Sequence, residues 1–316
     1  MDIMDNTQDN SFLEIDYSKL MDLRVDYAFK LLFGTGDTLF LVSLLNAIFA
    51  NKKIPRKIIE LTIVNPYLEK YSKGDKLSII DIRAQLDDGT TILIEMHLYD
   101  ISDLKYKTIR SWARVYGEEL KVSEGYLSQP PVVCVSFVDG SIDDGETQKI
   151  HKCCKIMDID DCTVFSDAME LHYIDMKAFV KVINEKGDIV KRETEKSMLE
   201  KWLTVITEKD IEDKTIIKKI CEEQEEIGMA VSALVRLSED KVTRQAYRRR
   251  QDEVLLQNKK DIEYALMKQR AEQSDQRAEQ ANQRAEQSDQ RAEQAEIEIE
   301  KLRKKLKELE AQANKP

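Results

Sequence analysis

Asp81, Glu95 and His97 are the residues whose types and spacing best suit chemistry, because each sits within a stretch that reads as a β-strand. From Leu77 to Leu86 the chain alternates, with Ile80, Ile82, Ala84 and Leu86 on one side and Asp81, Arg83 and Gln85 on the other. Asp87-Asp88-Gly89 turns the chain. Thr91 to Tyr99 then returns with Ile92, Ile94, Met96 and Leu98 on one face and Leu93, Glu95, His97 and Tyr99 on the opposite face. A three-residue loop Asp88-Gly89-Thr90, with Gly89 left-handed, would set Asp87 opposite Thr91 and Asp81 opposite His97, so that Asp81, Glu95 and His97 share a face. Two carboxylates on adjacent strands suit a hard divalent cation. Such a cation polarises a phosphodiester and activates water as a nucleophile. The same spacing also describes acidic side chains on a solvated strand face, which is their commoner fate.

The elements that must position these residues follow from periodicity. Tyr17 to Phe33 approximates an amphipathic helix through Leu20, Leu23, Ala28, Leu31 and Leu32, with Gly34 as its stop. Thr38 to Phe49 reads as a more buried helix, and Ile58 to Val64 as a strand closed by Asn65-Pro66. Beyond the hairpin come a helix over Asp103 to Leu120, a strand over Val132 to Phe137 and a last strand over Glu170 to Met176. Helical spacing resumes from Glu195, with Trp202, Leu203 and Ile206 as anchors. The order helix, helix, strand, hairpin, helix, strand, strand suits an α/β mixed sheet with helices packed on it.

The net charge of the 316-residue chain is -11, which argues against a protein that coats nucleic acid through counterion release. An acidic metal site served by a modest basic groove remains compatible with it. Lys105, Lys107, Arg110 and Arg114 are the preferred phosphate contacts, because they lie on the helix directly after the Glu95 strand. Arg244, Arg248, Arg249 and Arg250 are interleaved with polar residues and read as a solvated helix face. The five cysteines, Cys134, Cys153, Cys154, Cys162 and Cys221, are odd in number and lack a disulfide-framework spacing. No signal peptide is evident, so a cytoplasmic setting is expected. His151, Cys153, Cys154 and Cys162 can be read as a metal cluster, but without a Cys-x-x-Cys pair ordinary thiols are the simpler reading. No apolar stretch reaches the roughly 18–20 residues that span a bilayer, so no membrane partner is expected.

The C-terminal segment carries a repeat, Arg-Ala-Glu-Gln-(Ser/Ala)-(Asp/Asn)-Gln, starting at Arg270, Arg277 and Arg284, with a partial copy at Arg291. Ala271, Ser274, Ala278, Ala281, Ala285, Ser288, Ala292 and Ala295 then alternate by three and four as a heptad seam does, and Ile299, Leu302, Leu306 and Leu309 continue it. At about 0.8 kcal/mol per buried methylene the leucine end must supply most of any association energy. A homo-oligomeric coiled coil is expected, with a solvated single helix as the alternative.

Further motifs carry a resemblance. Met21-Asp22-Leu23-Arg24-Val25-Asp26-Tyr27-Ala28-Phe29-Lys30-Leu31-Leu32-Phe33-Gly34 resembles the opening signature of the recombination-promoting nuclease and putative transposase family, which has a PD-(D/E)XK nuclease core. Lys76 to Ala84 resembles that family's segment with its first catalytic aspartate, and Ile94-Glu95-Met96-His97 the next strand, where the family usually has Glu-x-Gln. Trp112, Tyr116, the stretch Leu171 to Met176, Trp202-Leu203 and Ala246-Tyr247 extend the resemblance over roughly residues 20 to 265.

The resemblance implies a restriction-endonuclease-like mixed sheet flanked by helices, then a helical region and a long C-terminal coiled coil. The boundaries expected are 1–15 for a flexible N-terminus, 16–190 for the nuclease-like domain, 191–260 for the helical region and 261–316 for the tail. It also implies a bacterial, Mg2+- or Mn2+-dependent DNA endonuclease associated with recombination or mobile elements, with Asp81 and Glu95 as metal ligands. His97 stands where relatives place lysine or glutamine. It can contact phosphate, bind a softer metal or act as a base, or it can mark a site falling out of use. Asp26 and Lys30 lie one turn apart, so a simple ion pair and a place in the catalytic site are both open. The alternative to an active enzyme is a catalytically degenerate member that binds DNA or protein as an oligomer. Strand transfer by an Asp-Asp-Glu constellation is not expected, since no such set can be assigned from spacing.

Overall fold

The computed structural model describes residues 15–35, 37–50, 56–66, 80–98, 103–118, 125–140, 149–186 and 197–313. The expected loose N-terminus up to residue 14, the Leu77–Ile79 start of the first hairpin strand, Tyr99 and Leu120 lie outside the described residues, as do the side chains of Ala292 and Leu309. The chain divides into two compact units, Met1–Asp252 and Glu253–Pro316.

Six strands form the mixed sheet of the first unit. In chain order they are β1 (Leu61–Val64), β2 (Ile82–Leu86), β3 (Thr91–His97), β4 (Val132–Val138), β5 (His151–Met157) and β6 (Val164–Asp175), arranged β1-β2-β3-β4-β6-β5. The first three strands pair antiparallel, β4 lies parallel to both β3 and β6, and β5 closes the far edge antiparallel to β6. The parallel β3–β4 step requires a crossover, which α3 (Leu104–Glu118) provides. Every residue of β3 and β4 is buried, because these central strands are covered on both faces.

Each face has its own core. On one face Leu93, Cys134, Val138, Leu171 and Tyr173 pack with Leu104 and Val115 of α3. On the other, Ile92, Ile94, Val135, Phe137 and Ile174 meet α1 (Asp26–Phe33), α2 (Leu39–Ala50), α4 (Met176–Lys186), α5 (Met198–Ile206), α6 (Thr215–Glu223) and α7 (Glu225–Glu239). Trp202 of α5 is fully buried, meets the ring of Phe33 edge-on at 5.6 Å and donates its indole N–H to Ser43 Oγ at 3.2 Å. Phe29 stacks obliquely on Phe33 at 4.7 Å and on Phe137 of β4 at 5.5 Å. Burying such side chains stabilises by roughly 1.5–3 kcal/mol each, so α1 is firmly seated on the sheet.

The hairpin has a different register from the expected one. Ile82 pairs with Ile94 and Gln85 with Thr91, two residues away from the pairing that would set Asp81 opposite His97. The loop is Asp87-Asp88-Gly89, closed by Leu86 N–H donating to Thr90 O and Gly89 N–H to Leu86 O. Gly89 is left-handed, with φ of 82°, as expected. A shift of two preserves which side chains share a face. The strand also stops short: Ile80 joins the α3-side core rather than that of Ile82, because the chain bends at Asp81 and Ile80 N–H donates to Pro66 O.

Two other expectations are corrected. Residues 17–25 are not the start of one long helix: after a 3-10 turn at Tyr17–Lys19 the chain continues without helical structure, burying Met21, Leu23 and Val25, and α1 begins at Asp26. Local acceptors explain this, since Asp16 binds Ser18 N–H and Asp22 binds Arg24 N–H, competing with helical bonds. The last strand is longer than expected, starting at Val164, and Met176 already belongs to α4. Its partner β5 was not foreseen, because His-Lys-Cys-Cys-Lys-Ile-Met has no apolar alternation and lies half-buried at an edge.

The 73-residue helix α8 (Lys241–Ala313) begins in the first unit, where Tyr247 is buried, and supplies the second unit, where Ile297, Ile299, Leu302 and Leu306 are exposed. No helix among the described residues is long and apolar enough to cross a membrane.

Because Gly89 alone supplies the left-handed residue that sets the hairpin register, Gly89→Ala should destabilise the fold by about 1 kcal/mol. Urea midpoints will check this, with Gly89→Asn expected to lose less.

Candidate active site

The bend just before β2 places the Asp81 carboxylate at the edge of the hairpin. Its Oδ2 accepts the N–H of Met96 at 2.7 Å, so a side chain rather than a backbone carbonyl satisfies that position of β3. Met96 lies between Glu95 and His97, and Asp81 is thereby anchored to the backbone between them.

Lys30 reaches the site from α1. Its inward neighbours Phe29 and Phe33 hold the helix, and its ammonium lies 2.9 Å from Asp81 Oδ1 and 3.4 Å from Asp26 Oδ2. Asp26 is further held by Arg250 of α8, whose Nε donates to Oδ1 at 2.8 Å and to Oδ2 at 3.1 Å. Asp26 Oδ1 also accepts the Tyr27 N–H at 2.9 Å in the first turn of α1. Acid and base thus alternate along the row Arg250, Asp26, Lys30, Asp81.

Glu95 and His97 are both buried. His97 Nε2 lies 3.2 Å from Glu95 Oε2 and the Lys107 ammonium 3.9 Å from the same oxygen. That oxygen nevertheless accepts no hydrogen bond. A buried carboxylate oxygen in this condition is unusual and costly unless a ligand completes it.

The charges respond to this environment. Burial pushes the Asp81 carboxyl above its ordinary range, with Lys30 and the Met96 N–H opposing. Burial presses Glu95 in the same direction, but the His97 imidazole and the Lys107 and Lys30 ammoniums outweigh it, so Glu95 lies below its ordinary range. For Asp26, Arg250 and Lys30 overcome burial and lower the pKa. Lys30 is raised despite burial, chiefly by Asp81 and then Asp26.

All five residues singled out in the sequence therefore occur in one region: Asp81 with Lys30 and Asp26, Glu95 with His97. Of the four basic residues proposed on α3, Lys107 approaches Glu95, Arg114 pairs with Glu118 at 3.7 Å, and Lys105 and Arg110 are exposed. Arg244 and Arg250, expected on a solvated helix face, are instead half-buried, Arg244 donating to Lys19 O and Arg250 to Asp26. The signal for Arg250 was the apolar Tyr247 three residues earlier, on the same helical face, which is buried and accepts Asp22 N–H at 3.1 Å. Arg248 and Arg249 are solvent-exposed as their pattern indicated.

A mixed sheet whose central hairpin carries a buried Glu95 and, at the bend before β2, a half-buried Asp81 met by a lysine from the first helix defines a restriction-endonuclease-like nuclease fold. A family profile matches residues 23–265, and the chain belongs to that family: the PD-(D/E)XK nuclease family transposases. Nucleases of this kind generally use divalent metal ions, and the family implies a DNA substrate. The repeat tail lies beyond the match. No curated protein and no solved structure shows a significant match to the chain.

Asp26 stabilises the fold through its lowered pKa. That contribution is full above its ordinary value of 3.8 and is lost as pH falls through the lower folded value. Arg250→Gln should remove about 1 kcal/mol at neutral pH, a modest amount because Arg250 is partly exposed, and little at strongly acid pH. Urea unfolding at the two pH values will show whether the loss is confined to the neutral side.

Proposed function

We propose that the protein is a divalent-metal-dependent DNA endonuclease, associated with recombination or mobile elements, in which Asp81 and Glu95 hold Mg2+ or Mn2+. The observation that carries this reading is the buried Glu95 oxygen without a hydrogen bond, on the strand whose next N–H, that of Met96, anchors an aspartate whose charge burial disfavours. Hard oxygen donors of this type suit Mg2+ or Mn2+. When bound, such a cation polarises the phosphodiester and makes water a stronger nucleophile.

The chain's own residues divide the remaining work. Lys30, held between Asp81 and Asp26, would contact a non-bridging phosphate oxygen and stabilise the charge that grows there. Arg250 keeps Asp26 ionised and in place, so that Asp26 continues to orient Lys30. His97 Nε2 steers the attacking water, the orienting task that lysine or glutamine has in related sequences, and as an imidazole it can also accept the water's proton. Lys107, half-exposed on α3, meets the flanking backbone.

Purified protein should nick or linearise supercoiled plasmid in Mg2+ or Mn2+. Asp81→Ala and Glu95→Ala should each lower the rate by more than about 100-fold, beyond the loss typical of residues that only support a ligand. Intact plasmid, or equal cutting by the variants, would reject the assignment. The second reading, a degenerate binding module, is favoured by the histidine at position 97. It is distinguished by His97→Gln, which in an active enzyme should keep cleavage within about tenfold and in a degenerate one should leave it absent or restore it.

We further propose that the tail self-associates. Leu302 and Leu306 are exposed and four residues apart, with Ile299 on the same seam. Full-length protein should sediment as an oligomer, and the Leu302→Glu/Leu306→Glu double variant as a monomer. A monomeric unaltered protein would identify the tail as a solvated single helix.

A further inference from the structure

A second cluster of metal-binding side chains lies across the β5–β6 pair. Cys153 pairs directly with His172 in the antiparallel register, and Glu170 lies two residues before His172 on β6. A period of two puts both β6 residues on one face, and cross-strand pairing adds Cys153 to it. Their ligand atoms all lie within 4.8 Å of one another. Glu170 Oε1 is 2.7 Å from His172 Nε2, and Cys153 Sγ is 3.9 Å from Glu170 Oε1 and 4.0 Å from His172 Nε2.

We propose that Cys153, Glu170 and His172 form a binding site for Zn2+ or a similar borderline divalent ion, distinct from the acidic site of the hairpin. Zinc holds sulfur, nitrogen and oxygen donors at about 2.0–2.3 Å, which in tetrahedral geometry separates them by about 3.3–3.6 Å. Shifts of about 0.5 Å would bring these three donors to that spacing. Mixed thiolate and imidazole ligands select zinc over magnesium, whereas Asp81 and Glu95 select the reverse.

The surroundings resemble support for a ligand set. His172 Nδ1 lies 2.9 Å from His151 Nε2, a spacing that lets Nδ1 donate to His151 when Nε2 exchanges its contact with Glu170 for the ion. Phe49 of α2 meets the His172 ring edge-on at 5.2 Å and fixes its plane. Lys155 holds the other oxygen of Glu170 at 3.0 Å, leaving Oε1 turned to the cluster. Binding would release the Cys153 thiol proton and the proton shared by His172 and Glu170 to solvent.

The two sites cannot share ligands. Ile94, Val135 and His172 form one row across the sheet, and Glu95, Ser136 and Tyr173 the next, so Glu95 and His172 point to opposite faces. The cluster differs from the one the local sequence offered. Cys154 faces the α3-side core and Cys162 is exposed on the turn, while Glu170 and His172 come from the neighbouring strand. An ion here would tie the polar edge strand β5 to β6, where packing supplies little.

Cobalt titration of the metal-free, full-length protein tests this directly. The expected result is a near-ultraviolet thiolate-to-cobalt charge-transfer band and tetrahedral d–d bands that saturate at a single equivalent and are displaced by Zn2+. The bands should survive Cys154→Ser, Cys162→Ser and Asp81→Ala, and disappear in Cys153→Ser. Zn2+ should raise the melting temperature by several degrees in the same proteins that show the bands. Zn2+ should also protect Cys153, and not Cys162, from alkylation in the unaltered protein, a measurement independent of any variant's folding. Absence of the charge-transfer band, its persistence in Cys153→Ser, or unprotected Cys153 would overturn the site. Because Asp81→Ala is expected to bind normally, failure here is separable from failure of the nuclease reading.

Discussion

A strand buried on both faces cannot carry charge without compensation, and β3 carries Glu95 and His97 in its C-terminal half. Everything around the hairpin answers that constraint. The imidazole stands beside the carboxylate, a lysine arrives from α3, and the bend at Asp81 brings a second carboxylate whose own charge is met by Lys30. The arrangement leaves one buried oxygen without a hydrogen bond. Electrostatic tension of this kind is kept at places where a ligand relieves it.

The apolar core and the charged row are two sides of the same helix. Phe29 and Phe33 lock α1 between β4 and Trp202, while Asp26 and Lys30, four residues apart, project along its other edge. Helices α7 and α8 then fasten the preceding segment: Ser238 accepts Met21 N–H at 3.0 Å, Tyr247 accepts Asp22 N–H, and Arg244 donates to Lys19 O. Arg24 adds salt bridges to Asp22, Asp139 and Asp210, joining the N-terminal segment to the end of β4 and the helical region. The row is therefore positioned by contacts that span most of the first unit.

The hairpin was legible because alternation and the Asp-Asp-Gly turn are local signals. Its exact pairing was not, since moving the loop by one residue moves the register by two while leaving every face unchanged. Parity survives that shift from Ile82 to Leu86 and from Thr91 to His97, so Glu95 and His97 share a face as expected, whereas the bend at Asp81 breaks it and moves Ile80 to the opposite core. Tyr17 to Val25 misled for the opposite reason: buried residues spaced three apart fit a helix, but Asp16 and Asp22 spend their side chains on nearby N–H groups and extend the chain. Strand β5 carried no apolar alternation, and its contribution to a metal-binding cluster depends on residues nearly twenty positions away. Arg250 was hidden by its exposed neighbours Arg248 and Arg249.

The repeat has a further consequence for how this chain can vary. Seven residues turn an α-helix through almost two full revolutions, a drift of only about 20°. Gain or loss of a whole Arg-Ala-Glu-Gln unit therefore returns every downstream side chain to nearly the same azimuth. Since the units start at Arg270, beyond Arg250 and beyond the last residue of the first unit, Asp252, slippage in copy number would change reach in discrete steps while leaving the charged row untouched. Insertions of other lengths would rotate Ile299, Leu302 and Leu306 away from the seam. The C-terminal helix is thus a ruler whose graduations are set by the heptad.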